Sequence, residues 1–168
     1  MMMCMINELL NKKKQAIVDN WVEMILNSYP AEAANFLKLK KNQFSNPIGY
    51  TITTNAEKIF DELINKRDFE NIKSLLNEVV KIRAVQSFSP SQAVSFLFDL
   101  KKAIRDELKV ELVEKNISDE LIIIESLIDQ IMLLGLDLYM ESREKVFKIR
   151  VNEIKSRSYK AIDPITGA

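Results

Sequence analysis

Residues 118–157 read SDELIIIESLIDQIMLLGLDLYMESREKVFKIRVNEIKSR, and this stretch decides the fold class. Ser118 suits a helix N-cap, and Asp119 and Glu120 suit the positive end of the helix dipole. Ile117 can staple onto Ile122 across the cap. No proline follows until Pro164, and apolar residues recur at steps of three and four rather than two. An unbroken helix over this span is roughly 58 Å long. A chain of this size has a radius of gyration of only about 15 Å. The helix must therefore project, pack along another molecule, or break, and Gly135 is the expected kink.

Working backwards, Ser89-Pro90-Ser91-Gln92 joins a Ser cap, a proline at the first helical position and Gln at the third. It predicts a helix over 90–113. Further upstream the same periodicity predicts helices over 6–29, 31–41, 51–66 and 69–85. Pro30 ends the first, Asp68 caps the last, and 42–50 is read as irregular. The expectation is an all-α bundle of about six helices with a long C-terminal helix. Residues 1–158 form one domain in this reading and 159–168 a flexible tail.

Composition narrows the chemistry. The 168 residues carry 24 basic and 24 acidic side chains and no histidine. Without imidazole there is no Ser-His-Asp triad, no H-E-x-x-H zinc site and no histidine-ligated haem. No metal or cofactor is expected, and no catalytic set stands out. Net charge is only about +2 over residues 1–84 and −2 over 85–168, so a nucleic-acid surface is not expected. The longest apolar run, 131–136, falls far short of the roughly 20 residues that span a bilayer. No secretory signal is visible and the single Cys4 cannot form an internal disulfide, which points to a cytoplasmic protein.

Three features break the amphipathic background. Phe69, Ile72, Leu76 and Val79 form the inward stripe of one helix, and the next step of four lands on Arg83. That places a guanidinium on the core side, as an anion clamp or as an ordinary core-edge ion pair. Asp137 interrupts a segment that is apolar nearly all round, which predicts burial and a partner. Arg83 is the expected partner, with Asp129 as its competitor. Finally, Met140, Phe147, Val151 and Ile154 make a seam flanked by charges, suited to a dimer or partner helix but only about two heptads long. Lys12-Lys13-Lys14 and residues 38–41 are short basic clusters read as solvated faces, and Gly49 stands alone rather than in a phosphate loop.

Trp21, Tyr29-Pro30, residues 44–49 (FSNPIG) and residues 82–93 (IRAVQSFSPSQA) carry a family resemblance. It continues through Phe96, Leu100-Lys101, residues 139–144 and residues 150–153. The chain resembles the RsbRD-type N-terminal domain of RsbT co-antagonists, sensory modules of bacterial stress signalling. The resemblance implies a globin-like fold without haem, a homodimer, and a last helix leading out of the sensor. In longer relatives that helix joins a STAS output domain, which this chain lacks in this reading. Similar stand-alone domains near sulfite-reduction genes imply a redox setting. No catalytic residue is carried over.

The functional expectation is a non-enzymatic regulatory module working through dimerisation and a protein partner. Arg83 and Gln86 are the polar pair expected to face a pocket or interface. The alternative is a small-molecule sensor with a pocket lined by Phe88, Phe96, Phe98 and Tyr139.

Overall fold

A computed structural model describes residues 2–39, 42–86 and 88–162. These residues form α1 (Met2–Lys12), α2 (Lys14–Asn27), α3 (Ala31–Leu39), α4 (Pro47–Asp61), a π-helical turn (Glu62–Lys66), α5 (Phe69–Val85), α6 (Pro90–Val94), α7 (Phe96–Glu107), α8 (Lys109–Glu114) and α9 (Ser118–Ile162). No strand occurs among the described residues. The all-α expectation stands, with more and shorter helices than the periodicity suggested.

Each extra boundary has a local cause. The first helix, expected over 6–29, begins at Met2 and breaks at Lys13. The buried stripe Ile6, Leu9, Leu10 would next need apolar residues at 13 and 14, where the chain has lysines. Lys13 instead reaches across to the Glu107 carbonyl and to Glu111 at 2.8 Å, and the stripe resumes on α2 at Ile17, Val18 and Trp21. The helix expected over 51–66 starts earlier, inside the stretch read as irregular. Asn46 caps it by accepting from the Gly49 N–H at 2.9 Å, and Pro47 takes the first helical position. Gly49 has no alternative here: an added Cβ would lie 2.3 Å from Asn46 Nδ2 and 2.8 Å from the Leu37 carbonyl.

The helix expected over 90–113 divides at Ser95 and Leu108. At Ser95 the cause is competition for one acceptor. A continuous helix would use the Gln92 carbonyl for its own ladder. Instead that carbonyl accepts from Arg83 Nη1 at 2.8 Å and from Ser95 Oγ at 3.1 Å.

The core gathers where α5 lies along α9 and α2 along α7. Ile72, Leu76 and Val80 of α5 meet Ile124, Ile128 and Ile131 of α9 in one buried cluster, with Trp21 and Phe96 beside them. The Trp21 and Phe96 rings stack at 6.2 Å, and Trp21 Nε1 donates to the Phe96 carbonyl at 2.6 Å. Gly135 does not break the helix. α9 is continuous, and Gly135 is buried where a Cβ would stand 3.4 Å from Leu76 and 3.4 Å from Val94. Glycine serves close helix approach there, not a break. At 45 residues α9 is about 67 Å long. Its buried positions end at Ser142, so the remainder extends beyond the body. The helix also runs past Tyr159 to Ile162, into the stretch expected as tail; residues 163–168 lie outside the described residues.

Candidate functional site

Arg83 points inward from α5 and is fully buried. Its guanidinium donates to the Gln92 carbonyl at 2.8 Å, the Ser28 Oγ at 2.9 Å and the Ile25 carbonyl at 3.4 Å. Three rings enclose it, with centroids 4.9 Å (Phe88), 5.1 Å (Phe96) and 5.5 Å (Tyr29) from the guanidinium carbon. The buried cation is held by backbone carbonyls, a hydroxyl and aromatic faces, and none of its hydrogen bonds goes to a carboxylate. Arg83 Nε and the Tyr29 hydroxyl have no hydrogen-bond partner among the described residues. Burial pushes the Arg83 pKa down, opposed by the nearby Tyr29 and Asp99. Burial pushes Tyr29 up, opposed by the charge of Arg83. Burial likewise raises Asp99, with Arg83 and Lys102 pulling the other way.

The expected Arg83–Asp137 pair does not form. Asp137 faces solvent from α9, on the side away from the core. The apolar ring around it misled: Leu133 and Met140 are also exposed, so apolar composition there does not mean burial. Asp129 is exposed too and pairs with Lys101. Gln86 caps the end of α5 through its backbone and has an exposed side chain, so it joins neither Arg83 nor a pocket. The four aromatics expected to line a cavity do not meet around one. Phe96 and Phe88 belong to the Arg83 cage, Phe98 is exposed, and the Tyr139 hydroxyl donates to the Phe88 carbonyl.

The seam residues do share a surface. Met140, Phe147 and Ile154 are 55%, 66% and 65% exposed, with Val151 half-buried among them. The line extends upstream of Met140 to Leu133 (68% exposed); beyond it Asp129 and Ser126 occupy the same face before Ile122 (56% exposed). The signal was present as steps of three and four below Met140, but it was hidden within a segment that looked wholly internal. From Leu133 to Ile154 the line, interrupted by Glu144, covers about 32 Å of helix. Exposed apolar rows of this length mark interaction surfaces. An open hollow of about 550 Å³ lies on it, lined by Met140, Glu141, Arg143, Glu144 and Phe147. Arg143 is turned back toward the body, donating to the Ala84 carbonyl at 3.0 Å.

A second concavity of about 500 Å³ lies between α2, α3 and α4. Val22, Leu26 and Leu37 supply its apolar part, and Asp19, Glu23, Lys38 and Tyr50 are among its polar residues. Among the described residues no group of three His, Cys, Asp or Glu is placed to hold a metal ion. None of the described helices is long and apolar enough to cross a membrane. The basic cluster at 38–41 is only partly described; Lys38 lies 3.6 Å from Glu23, and residues 40–41 fall outside the described set.

Comparison with known proteins agrees with this architecture. No curated protein and no solved structure matches the chain significantly. Residues 15–154 match the family described as the RsbT co-antagonist protein rsbRD N-terminal domain. That span covers α2 to α8 and most of α9, including the Arg83 cage and the outward line of α9 through Ile154. The chain thus belongs to the rsbRD N-terminal domain family, a family of globin-like helical, stressosome-type sensory and regulatory domains.

Proposed function

We propose that this domain is a non-enzymatic regulatory module of bacterial stress-type signalling. It works by self-association through the outward face of α9 and by contact with a downstream protein. The observation that carries this reading is the row of exposed apolar side chains on the helix that leaves the body. Membership of a sensory family supports it, because such domains relay a state rather than turn over a substrate. The Arg83 cage then has a structural role. It ties α2, α5 and α6 together, so that a disturbance in any of them reaches α9 through α5.

Light scattering tests the self-association. The protein should behave as a dimer at tens of micromolar, and Phe147→Glu should be monomeric with unchanged helicity. A wild-type protein that stays monomeric at high concentration overturns the reading.

A ligand-binding sensor is the second reading, favoured by the concavity between α2, α3 and α4. Its size falls within the range of small-molecule pockets. Native mass spectrometry of protein purified from cells would find a small molecule retained by the wild type and lost in Thr53→Trp.

A further inference from the structure

We infer that the concavity between α2, α3 and α4 takes a small organic amine, held as its ammonium ion with an apolar body on the floor. The inference rests on the reading of this concavity as a small-molecule site and adds the chemical class of the ligand.

The floor is apolar. Val22 and Leu26 of α2 and Leu37 of α3 line it and are nearly buried. Gly49, where α4 begins, lies beside them. A Cβ at that position would strike Asn46 and the Leu37 carbonyl, so the seat of α4 on α3 keeps this part of the lining free of a side chain. The volume of about 500 Å³ has room for an aromatic ring or a short alkyl chain.

One wall is acidic. Asp19 and Glu23 stand four residues apart on α2 and so share one side of the helix. Lys38 is the one cation among the lining residues. Its ammonium is already engaged, by Asn27 Oδ1 at 2.7 Å and by Glu23 at 3.6 Å. Asp19 accepts from the neutral Gln15 amide at 2.8 Å and makes no ion pair among the described residues. Two carboxylates against one ammonium leave the concavity with an uncompensated negative charge. The facing wall supplies further oxygens. The side-chain hydroxyls of Tyr50, Thr53 and Thr54 on α4 make no hydrogen bond among the described residues.

These facts set the sign of the ligand. Any molecule that fills the concavity takes water away from Asp19. Only a ligand that brings both a donor and a positive charge restores what the carboxylate loses. An anionic ligand would meet Asp19 and Glu23 and find no free cation. A neutral one would gain the floor but leave the acid stripped. An ammonium has three donors, and the carboxylate on one wall and the hydroxyls on the other are acceptors for them.

Titration with three probes of similar size decides the class, followed by the amide NMR shifts of Thr53 and Thr54. The probes are phenethylamine, phenethyl alcohol and phenylacetate. The amine should bind at least about tenfold more tightly than either analogue, the worth of one charge-assisted hydrogen bond. Asp19→Asn should bring the amine down to the level of the alcohol, and Thr53→Trp should abolish binding, both with unchanged helicity. An amine that binds no better than the alcohol, or that keeps its affinity in Asp19→Asn, overturns the inference. The concavity then remains a site for another class of ligand if Thr53→Trp still blocks the alcohol or the carboxylate. Probe binding that survives Thr53→Trp lies elsewhere on the protein and also overturns the inference. If no probe binds the wild type the amine class falls, and the native mass spectrometry described above decides the small-molecule reading by itself.

Discussion

The guanidinium of Arg83 on α5 donates to the hydroxyl of Ser28, just past the end of α2, across 2.9 Å. Together with the Gln92 carbonyl it closes a buried bracket between three helices. Removing the side chain leaves these acceptors unpaired and opens space among Tyr29, Phe88 and Phe96. Arg83→Ala should therefore lower stability by about 3–5 kcal/mol. Urea unfolding followed by the emission of the buried Trp21 measures it. Arg83→Lys should recover only a small part, because an ammonium lacks the planar fork that reaches the carbonyl and the hydroxyl at once.

Asp137 is exposed and takes no part in that bracket. Asp137→Ala should shift the unfolding free energy by less than about 0.5 kcal/mol. Combined with Arg83→Ala, the losses should add. A coupling above about 1 kcal/mol in the double-mutant cycle would mean the two side chains meet after all.

The sequence announced those features whose cause is local. Asp68 and Ser89 were legible as caps, and both accept from the backbone as expected, from Asn71 N–H at 3.1 Å and Gln92 N–H at 3.3 Å. Arg83 was legible as inward-facing because a step of four carried it onto the stripe. Its partners were not, since backbone carbonyls such as that of Gln92 leave no mark in a residue pattern. The division of the helix at Ser95 was hidden for the same reason: it depends on Arg83 taking that carbonyl from outside the helix. Asn46-Pro47 carries a local cap signal as well, an Asn at the cap followed by a proline at the first helical position. The outward line of α9 shows the opposite limit. Leu133 and Met140 look like core by composition, and only the position of α5 on one side reveals that they face away.

The two glycines that meet neighbours closely should respond in opposite ways. At Gly135 an added methyl reaches Leu76 and Val94 at 3.4 Å, which is ordinary contact, and alanine favours the helix more than glycine does. Gly135→Ala should raise stability by about 0.5–1 kcal/mol, whereas Gly135→Leu should overpack the α5–α9 interface and lower it. Gly49→Ala should be destabilising, because its methyl would collide with the Asn46 amide and the Leu37 carbonyl, and Asn46 holds the start of α4. Thermal melts of the three variants separate the effects. A destabilised Gly135→Ala would mean that glycine there relieves strain in α9.

Asp99 gives the Arg83 region a pH dependence of predictable sign. Burial raises its pKa above the ordinary value of 3.8, and the attraction of Arg83 and Lys102 only partly offsets this. The unfolded chain titrates near the ordinary value. As pH rises through the interval between the two, the folded state retains the proton that the unfolded state has released. Stability from this group is therefore lost as pH rises and regained as pH falls. Asp99→Asn keeps the shape and removes the charge. Its melting temperature should exceed that of the wild type at neutral pH, and the difference should shrink as pH is lowered toward 3.8. Comparing the two proteins cancels the other carboxylates, which titrate alike in both. A difference that is constant with pH would place Asp99 in water rather than against the cage, and one that grows on acidification would mean that its ionised form is the one the fold favours.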